Sequence, residues 1–342
     1  MENRRDLLKS LASLALLSCL PKPLRAENLL RTSNNLPASR QIKRVLSAGR
    51  VADVILLSLA AEKLVGISME QLPSPVKRYF PEQIRQIPRV GRLVGRGSTA
   101  PLEKIVAMRP DIIVDVGSTS KIYLDTAEKI SRQTQIPYVV IDGRFEQTAE
   151  QIRQLAALID ERQRGEQLAG LAQIIMEKTH KTLQHDTALS VYSGRGADGL
   201  ETGLSGSIHT EVLDWLGAKN AAESVGEKMI ARVSAEQILL WNPQVIITHD
   251  VNFYATLRQP HPIWSKVAAV RNKRVFLIPT APFGWLDQPP GVNRLLGCLW
   301  LAHKLAPQKF PATETAVLIR RYFQLFYQYE LSDQELADFG IA

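Results

Sequence analysis

Two segments of this chain repeat the same succession of residues, and that repeat constrains the fold more than any other feature of the sequence. Residues 102–114 and 235–247 each read as a short helix, a proline and then a run of strand-forming residues. In both copies a glutamate precedes the proline by seven residues, and these glutamates, Glu103 and Glu236, lie 133 positions apart. We therefore predict that the chain contains two copies of one α/β unit.

A second pair of segments supports the duplication. VLSAGR, which ends at Arg50, and SVYSGR, which ends at Arg195, each predict a strand that runs into a Gly-Arg turn, and they lie 145 positions apart. The two pairs occur in the same order along the chain, and their offsets differ by only twelve residues. Such agreement favours duplicated lobes over coincidence.

Strands and helices alternate in both halves, which predicts an α/β fold of two Rossmann-like lobes with parallel sheets. Strands are expected near residues 44–48, 64–67, 111–115, 137–141, 188–193, 244–248 and 274–278. The stretch between the halves lacks proline and has apolar residues at helical spacing, so it predicts one long rigid helix from Glu166 to Leu183, about 27 Å in length. Gly165 is a candidate break before that helix. The expected divisions are an export signal (1–26), an N-terminal α/β lobe (42–145), linking helices (146–186) and a C-terminal α/β lobe (187–342).

The N-terminal residues predict export. Arg4 and Arg5 precede an apolar run over residues 10–20, which is too short to span a bilayer and follows the pattern of a secretory signal peptide. The arginine pair followed by Leu-Leu-Lys is similar to a twin-arginine signal. Cleavage after Ala26 and lipidation of Cys19 are both open, and an amphipathic N-terminal helix is the alternative to a signal. Either processing route would place the mature protein in the periplasm.

Composition narrows the classes of partner. The net charge is +8, yet the Lys and Arg residues form no block of the kind that binds nucleic acid, so an anionic small ligand is a better use of the charge. The two cysteines exclude a disulfide framework and a cysteine-rich zinc site.

The export signal, the duplicated lobes and the linking helix together resemble the helical-backbone periplasmic solute-binding proteins of ABC importers. These proteins take up ferric siderophores, haem, cobalamin and related metal chelates, and some bind oxyanions such as molybdate. The likeness covers about residues 42–310 and is carried by residues 45–59, 101–114, 233–248 and 263–275. It implies a ligand cleft between the lobes, and it implies docking on the permease through Glu103 and Glu236. The glycine-rich segment 194–203 and the segment 283–290 look more like the branch that includes molybdate- and haem-linked binders.

Ligands of open α/β sheets bind beyond the carboxyl ends of the strands, so the residues just after predicted strands are the candidate ligand contacts. Arginine at such positions suits carboxylate, phosphate or oxyanion, because its planar fork stays charged at physiological pH. The candidates are Arg50, Arg92, Arg96, Ser118, Arg144, Ser193, Arg195 and Glu201. For each arginine the alternative is pairing with a nearby acid such as Asp53, Asp142 or Glu201.

Histidines and aromatic residues complete the candidate site. His249 follows a predicted strand of the second lobe, and His209 lies at a predicted helix start from which it could reach the cleft, with a hydrogen-bonded loop histidine as the alternative for each. No histidine precedes residue 180 and none has metal-ligand spacing, which disfavours a metal ion shared directly between the lobes. Phe283 and Trp285 lie in a loop rich in proline and glycine, where we expect exposed rings that line a site.

We predict a periplasmic receptor without catalytic activity and without a cofactor of its own. Its ligand would be an anionic metal complex, such as a ferric siderophore or haem, or an oxyanion such as molybdate. The predicted partners are an ABC permease and its ATPase in the inner membrane, and the protein is expected to be a monomer. An exported enzyme acting on a small anionic substrate in the same cleft is the alternative, although the sequence has no nucleophile elbow, His-Glu-x-x-His motif or Walker loop. A sensory binding protein is a third possibility.

Overall fold

The computed structural model describes residues 28–71, 74–94, 100–183, 189–223 and 230–341. The predicted export signal, Cys19 and Arg96 lie outside these residues. In the part of the chain that is described, no helix is both long and apolar enough to cross a membrane.

The first lobe is built on a five-stranded sheet. Its strands are β1 (Leu30–Ser33), β2 (Val45–Ser47), β3 (Leu64–Gly66), β4 (Ile112–Gly117) and β5 (Tyr138–Asp142), and their spatial order is β1-β5-β4-β2-β3. The neighbours β5, β4, β2 and β3 pair in parallel, whereas β1 adds to the edge of β5 in the antiparallel direction. β4 lies in the middle of this sheet as a nearly continuous apolar run, as is usual for a parallel strand covered on both faces.

The second lobe repeats the first strand for strand. Its sheet contains β6 (Ser190–Ser193), β8 (Lys219–Asn220), β10 (Val245–Thr248) and β11 (Val275–Leu277) in the parallel order β11-β10-β6-β8. This order matches β5-β4-β2-β3 of the first sheet, so the predicted duplication and the predicted α/β fold class are confirmed. An antiparallel ribbon of β7 (Glu201–Gly203) and β9 (Ile230–Arg232) is an addition to the second lobe.

Helices cover both sheets. The first lobe carries α1 (Arg50–Ala60), α2 (Ser74–Lys77), α3 (Glu82–Arg85), α4 (Leu102–Ala107) and α5 (Lys121–Thr134). The second carries α8 (Glu211–Leu216), α9 (Ala235–Trp241), α10 (Val251–Leu257), α11 (Ala268–Arg271), α12 (Arg294–Leu305), α13 (Ala312–Tyr322), a π-helical turn (Phe323–Tyr327) and α14 (Asp333–Asp338). Short 3-10 turns lie at Ser39–Gln41, Ala61–Lys63, Phe145–Gln147 and Trp264–Lys266.

Two helices, α6 (Thr148–Leu158) and α7 (Arg162–Thr179), connect the lobes. α7 is the long linking helix, but it begins and ends four residues earlier than predicted. The expected break at Gly165 is wrong, since this residue lies inside α7. A glycine is needed there because a Cβ atom would lie 2.2 Å from the Cβ of Ala156 on α6.

One apolar core runs through both lobes and the linking helices. Val114 of the first sheet, Leu168 of α7 and Val245 of the second sheet are all fully buried members of the same cluster. The C-terminal segment seals this core, because the ring of Tyr327 lies 5.8 Å from Phe80 in the first lobe and 6.1 Å from Phe283 in the second. Lobes that share a core of this kind have little freedom to rotate independently.

We expect Gly165→Ala to lower the free energy of unfolding by about 1–3 kcal/mol, because the added methyl overpacks the contact between α6 and α7. Gly170→Ala is a matched control on the same helix. A Cβ at Gly170 meets nothing within 4 Å, so this change should be neutral or stabilising by about 0.5–1 kcal/mol. Thermal and urea denaturation of both variants test this, and equal shifts in the two would contradict the tight packing at Gly165.

Candidate ligand-binding site

The carboxyl edges of the two sheets meet at a buried arginine. Arg294, the first residue of α12, is 1% exposed, and its Nη2 donates to the carbonyl of Gly143 after β5, 2.7 Å away. Its Nη1 donates to the Glu211 carboxylate at the start of α8. Glu211 also accepts the backbone N–H of Phe145 at 2.9 Å, and the Phe145 ring lies 5.2 Å from the guanidinium carbon of Arg294. Arg294 therefore ties the segment after β5 in the first lobe to the start of α8 in the second.

The first-lobe side of the cleft is a polar pocket. Its lining residues are Arg50, Ser68, Met69, Glu70, Gln71 and Arg92. Arg50 is exposed and is the first residue of α1, so its guanidinium lies beside the positive end of the helix dipole. Two of the predicted arginines thus share one pocket.

A buried carboxylate shapes the wall of this pocket. Asp53 accepts the backbone N–H groups of Ser68 and Met69, each at 2.9 Å, and the Ser68 hydroxyl at 2.7 Å. Burial raises the pKa of Asp53, whereas hydrogen bonds from Ser47, Ser68 and Met69 act in the opposite direction. Asp53 is therefore a structural residue that fixes the segment from Ser68 onward, and it is not the partner of Arg50.

A second buried acid lies beneath the turn before α1. Burial raises the pKa of Asp115 to about 7. Its Oδ1 lies 3.0 Å from the place that a Cβ of Gly49 would occupy, so a side chain at position 49 would crowd this carboxyl group. The Gly-Arg pair at Arg50 therefore has a packing reason as well as a candidate binding role.

The second-lobe side of the cleft is organised by Asp287, which is 4% exposed. Its Oδ2 accepts hydrogen bonds from the Arg195 guanidinium and from Nδ1 of His209, the latter at 2.9 Å. Nδ1 of His249 lies 3.4 Å from the other carboxylate oxygen. Three residues predicted separately as ligand contacts are thus brought together by one carboxylate.

The charge state of this cluster follows from its contacts. Burial alone would raise the pKa of Asp287, but the hydrogen bond from His209 and the charge of Arg195 outweigh burial and hold the pKa below its usual value. Burial lowers the pKa of His249 to about 4, with Asp287 opposing and Arg195 reinforcing the shift. At neutral pH Asp287 is therefore ionised and His249 is neutral.

The remaining predicted contacts lie at strand ends but are less concentrated. Arg144 pairs with Asp142 and Glu146, each at 3.1 Å, which fits the alternative that some of the arginines bind neighbouring acids. Ser118 is exposed after β4, and Ser193 ends β6 partly buried. Glu201 is exposed at the start of β7, where its backbone pairs with that of Arg195. Their roles in binding stay predictions.

The expectation that Phe283 and Trp285 are exposed rings is wrong. Trp285 is 0% exposed and packs 4.8 Å from Phe339, and its Nε1 donates to the Ala281 carbonyl at 2.9 Å. Phe283 is 5% exposed and packs against Phe80 at 5.7 Å. The C-terminal segment covers this loop, and its aromatic residues turn the loop into part of the core.

Two residues that organise the site were not predicted as such. Asp287 is the only acidic residue between Phe283 and Arg294, in a segment of mostly apolar and proline residues. A single carboxylate in such a segment is the sequence feature that could have indicated a functional role. Arg294 precedes an apolar helix sequence, which indicates a helix start but not a contact with Gly143.

Glu103 and Glu236 lie at equivalent positions of the two lobes. Each is the second residue of the helix, α4 or α9, that leads into the middle strand β4 or β10, and both side chains are exposed. Among the described residues, no group of three or more His, Cys, Asp or Glu side chains has the arrangement to hold a metal ion.

We expect His249 to remain neutral until the pH approaches 4. A histidine in the unfolded chain titrates near 6.5, so its contribution to stability is complete above that pH and is lost as the pH falls from 6.5 towards 4. The free energy of unfolding should fall by up to about 1.4 kcal/mol per pH unit from this group within that window.

His249→Gln removes the titration and should flatten the decline by this amount. Urea denaturation at pH 7.0 and 5.0 compares the two proteins, with His180→Gln, an exposed histidine just after α7, as control. A wild-type slope equal to that of His249→Gln would contradict the neutral, buried imidazole.

Comparisons with known proteins agree with this architecture. A family model described as periplasmic binding protein matches residues 52–282. The molybdate-binding protein MolA of Haemophilus influenzae is 24% identical over 312 residues, and this match covers 79% of the present chain and 81% of MolA.

Two solved structures share the fold. An ABC transporter solute-binding protein from Sulfurospirillum deleyianum has a TM-score of 0.80 at 28% identity, covering 87% of this chain and 94% of that one. MolA of Haemophilus influenzae bound to molybdate has a TM-score of 0.69 at 22% identity, covering 87% and 96%. The chain therefore belongs to the periplasmic binding proteins, in the helical-backbone group that serves ABC importers, as its internal repeat and linking helix indicated.

Proposed function

We propose that this protein binds a small tetrahedral oxyanion of the molybdate and tungstate type and delivers it to an ABC permease. The observation that carries the proposal is the chemistry of the two cleft walls. Guanidinium and imidazole N–H groups lie there, whereas the two rings that would pack on a flat chelate are buried in the core. Donors without a stacking surface suit a compact anion better than haem or a large siderophore.

The first-lobe pocket supplies the charge for this ligand. Arg50 and Arg92 line it, and the N-terminus of α1 adds backbone N–H groups with a favourable dipole. Glu70 also lines this pocket, and its carboxylate offsets part of the positive charge that the two arginines supply.

One relative, MolA, supports the same ligand class. MolA is named for molybdate binding, and its solved complex contains molybdate. That likeness adds weight to an oxyanion because the present cleft offers arginine and histidine donors for one. Ferric siderophore and haem are the competing ligands in the binding test.

The proposal includes export and docking. The N-terminal twin-arginine-like segment would direct the chain to the periplasm, with cleavage after Ala26 or lipidation of Cys19 as the two routes of processing. Intact mass of the mature protein from its own periplasm distinguishes the routes. The protein would need no resident cofactor and no catalytic step.

We expect purified protein to bind molybdate and tungstate, and not haem or ferric siderophores, in isothermal titration calorimetry. Arg50→Gln should weaken molybdate binding at least tenfold, about 1.4 kcal/mol, because it removes a guanidinium at the helix terminus. Arg132→Gln, which changes an exposed arginine paired with Glu128 on α5, is the matched control. Tight binding of haem or a ferric siderophore together with no response to molybdate would overturn the proposal.

We expect charge reversal at Glu103 and Glu236 to abolish import while ligand affinity stays unchanged, because both side chains are exposed on the helices away from the cleft cluster. Glu177→Lys, an exposed change on α7, should leave import intact. Uptake by cells that carry each variant, alongside calorimetry of the same purified variants, provides the measurement. Import at the wild-type rate by the double reversal would contradict docking through this pair.

A further inference from the structure

The second-lobe cluster is electrically balanced before any ligand arrives. Asp287 is ionised and accepts hydrogen bonds from the Arg195 guanidinium, so their charges cancel. His249 is neutral because burial lowers its pKa to about 4. Unlike the first-lobe pocket, this wall therefore offers a dianion no net positive charge unless a further group becomes protonated.

His209 is the group that can change this balance. Its side chain is 24% exposed, compared with 7% for His249, so it is the imidazole that solvent can reach. An ionised carboxylate only accepts hydrogen bonds, so the bond to Asp287 places a proton on Nδ1 of His209. Nε2 of His209 has no hydrogen-bond partner among the described residues and is the atom left to meet a ligand.

The protonation state of Nε2 decides what His209 can bind. In the neutral ring Nε2 carries a lone pair, which repels an oxyanion oxygen, whereas in the imidazolium it donates an N–H. A ring protonated at Nε2 would keep the existing 2.9 Å hydrogen bond from Nδ1 to Asp287 and would present a second donor to the ligand.

Several charged or titratable groups of the described residues lie near His209. Asp287, Arg195 and His249 belong to the cluster itself. Glu211 lies two residues after His209 in the sequence and forms an ion pair with Arg294. Glu201 is exposed on the neighbouring ribbon. Glu211 is paired with Arg294, and Arg195 with Asp287, so none of the cations in this set is left over for the ligand.

We propose that oxyanion binding is coupled to protonation of His209. Asp287 is the positioning residue, because it binds both Arg195 and His209 and so holds the two side chains next to each other. This inference rests on the proposed function. The proton comes from the solvent and is bound at Nε2 of His209, and no bond of the oxyanion forms or breaks. Ligand capture then draws in one proton, and release of the ligand returns it.

Calorimetry with sodium molybdate tests the coupling in buffers of different protonation enthalpy at pH 7.5. The wild-type protein should take up a measurable fraction of a proton, up to one, per molybdate, and its affinity should fall by up to about tenfold per pH unit above that pH. His209→Gln should bind with no proton uptake and with an affinity independent of pH. His180→Gln should behave as wild type.

Asp287→Asn separates positioning from a purely structural role. It keeps the shape of the side chain but leaves the charge of Arg195 uncompensated, so the wall becomes cationic without a proton. Proton uptake should fall to half of the wild-type value or less, even if affinity at pH 8 is maintained. A merely structural Asp287 would lose affinity and keep the wild-type proton count.

The outcomes are distinct. Molybdate binding with fewer than about 0.1 protons taken up by the wild type, or equal uptake by His209→Gln, overturns the coupling and leaves the proposed function standing. If neither molybdate nor tungstate binds between pH 6 and 8.5, the proposed function fails and the coupling fails with it. If Asp287→Asn does not fold, the comparison of wild type with His209→Gln still decides the matter.

Discussion

The buried guanidinium of Arg294 is the interaction on which the arrangement of the cleft depends. It joins the end of β5 in the first lobe to the start of α8 in the second, with Glu211 as its carboxylate partner. A buried ion pair of this kind is held by geometry, because removing either partner leaves an unpaired charge away from water. The apolar core that runs through both lobes supports the same junction. The cleft walls thus stand at a nearly fixed separation, and binding selectivity must come from the groups placed on them.

Duplication supplied two equivalent walls that have diverged in chemistry. After β2, the Gly-Arg pair opens α1 and leaves Arg50 exposed beside a helix terminus. After β6, the equivalent pair leads into an antiparallel ribbon, and Arg195 turns to a buried carboxylate instead. The first-lobe wall therefore carries the permanent positive charge of Arg50 and Arg92. On the second-lobe wall the charge of Arg195 is balanced by that of Asp287. Under the proposed coupling, the second wall would respond to protonation of its own His209, so the two walls would select an anion by different means.

Much of the fold was predictable because residues close together in the sequence determine where helices and strands form. The two glutamate-to-proline segments identified the duplicated lobes, and apolar spacing located α7 to within four residues. The candidate site was predictable only in part: Arg50 and His249 each follow a strand, and the structure places Arg50 in the first-lobe pocket and His249 beside Asp287. Contacts between distant parts of the chain left no such pattern. Asp287 meets Arg195 across 92 positions, and burial of Trp285 depends on Phe339, so neither was visible before the fold was known.

The C-terminal segment has a consequence for how the molecule is assembled. Tyr327 packs against Phe80 of the first lobe, so the interior of that lobe is completed by residues that are synthesised long after the lobe itself. Contacts between positions so far apart in sequence slow the search for the native state, and they prevent the first lobe from maturing by itself during synthesis. The first lobe should consequently acquire its final packing only after the segment around Tyr327 has been synthesised.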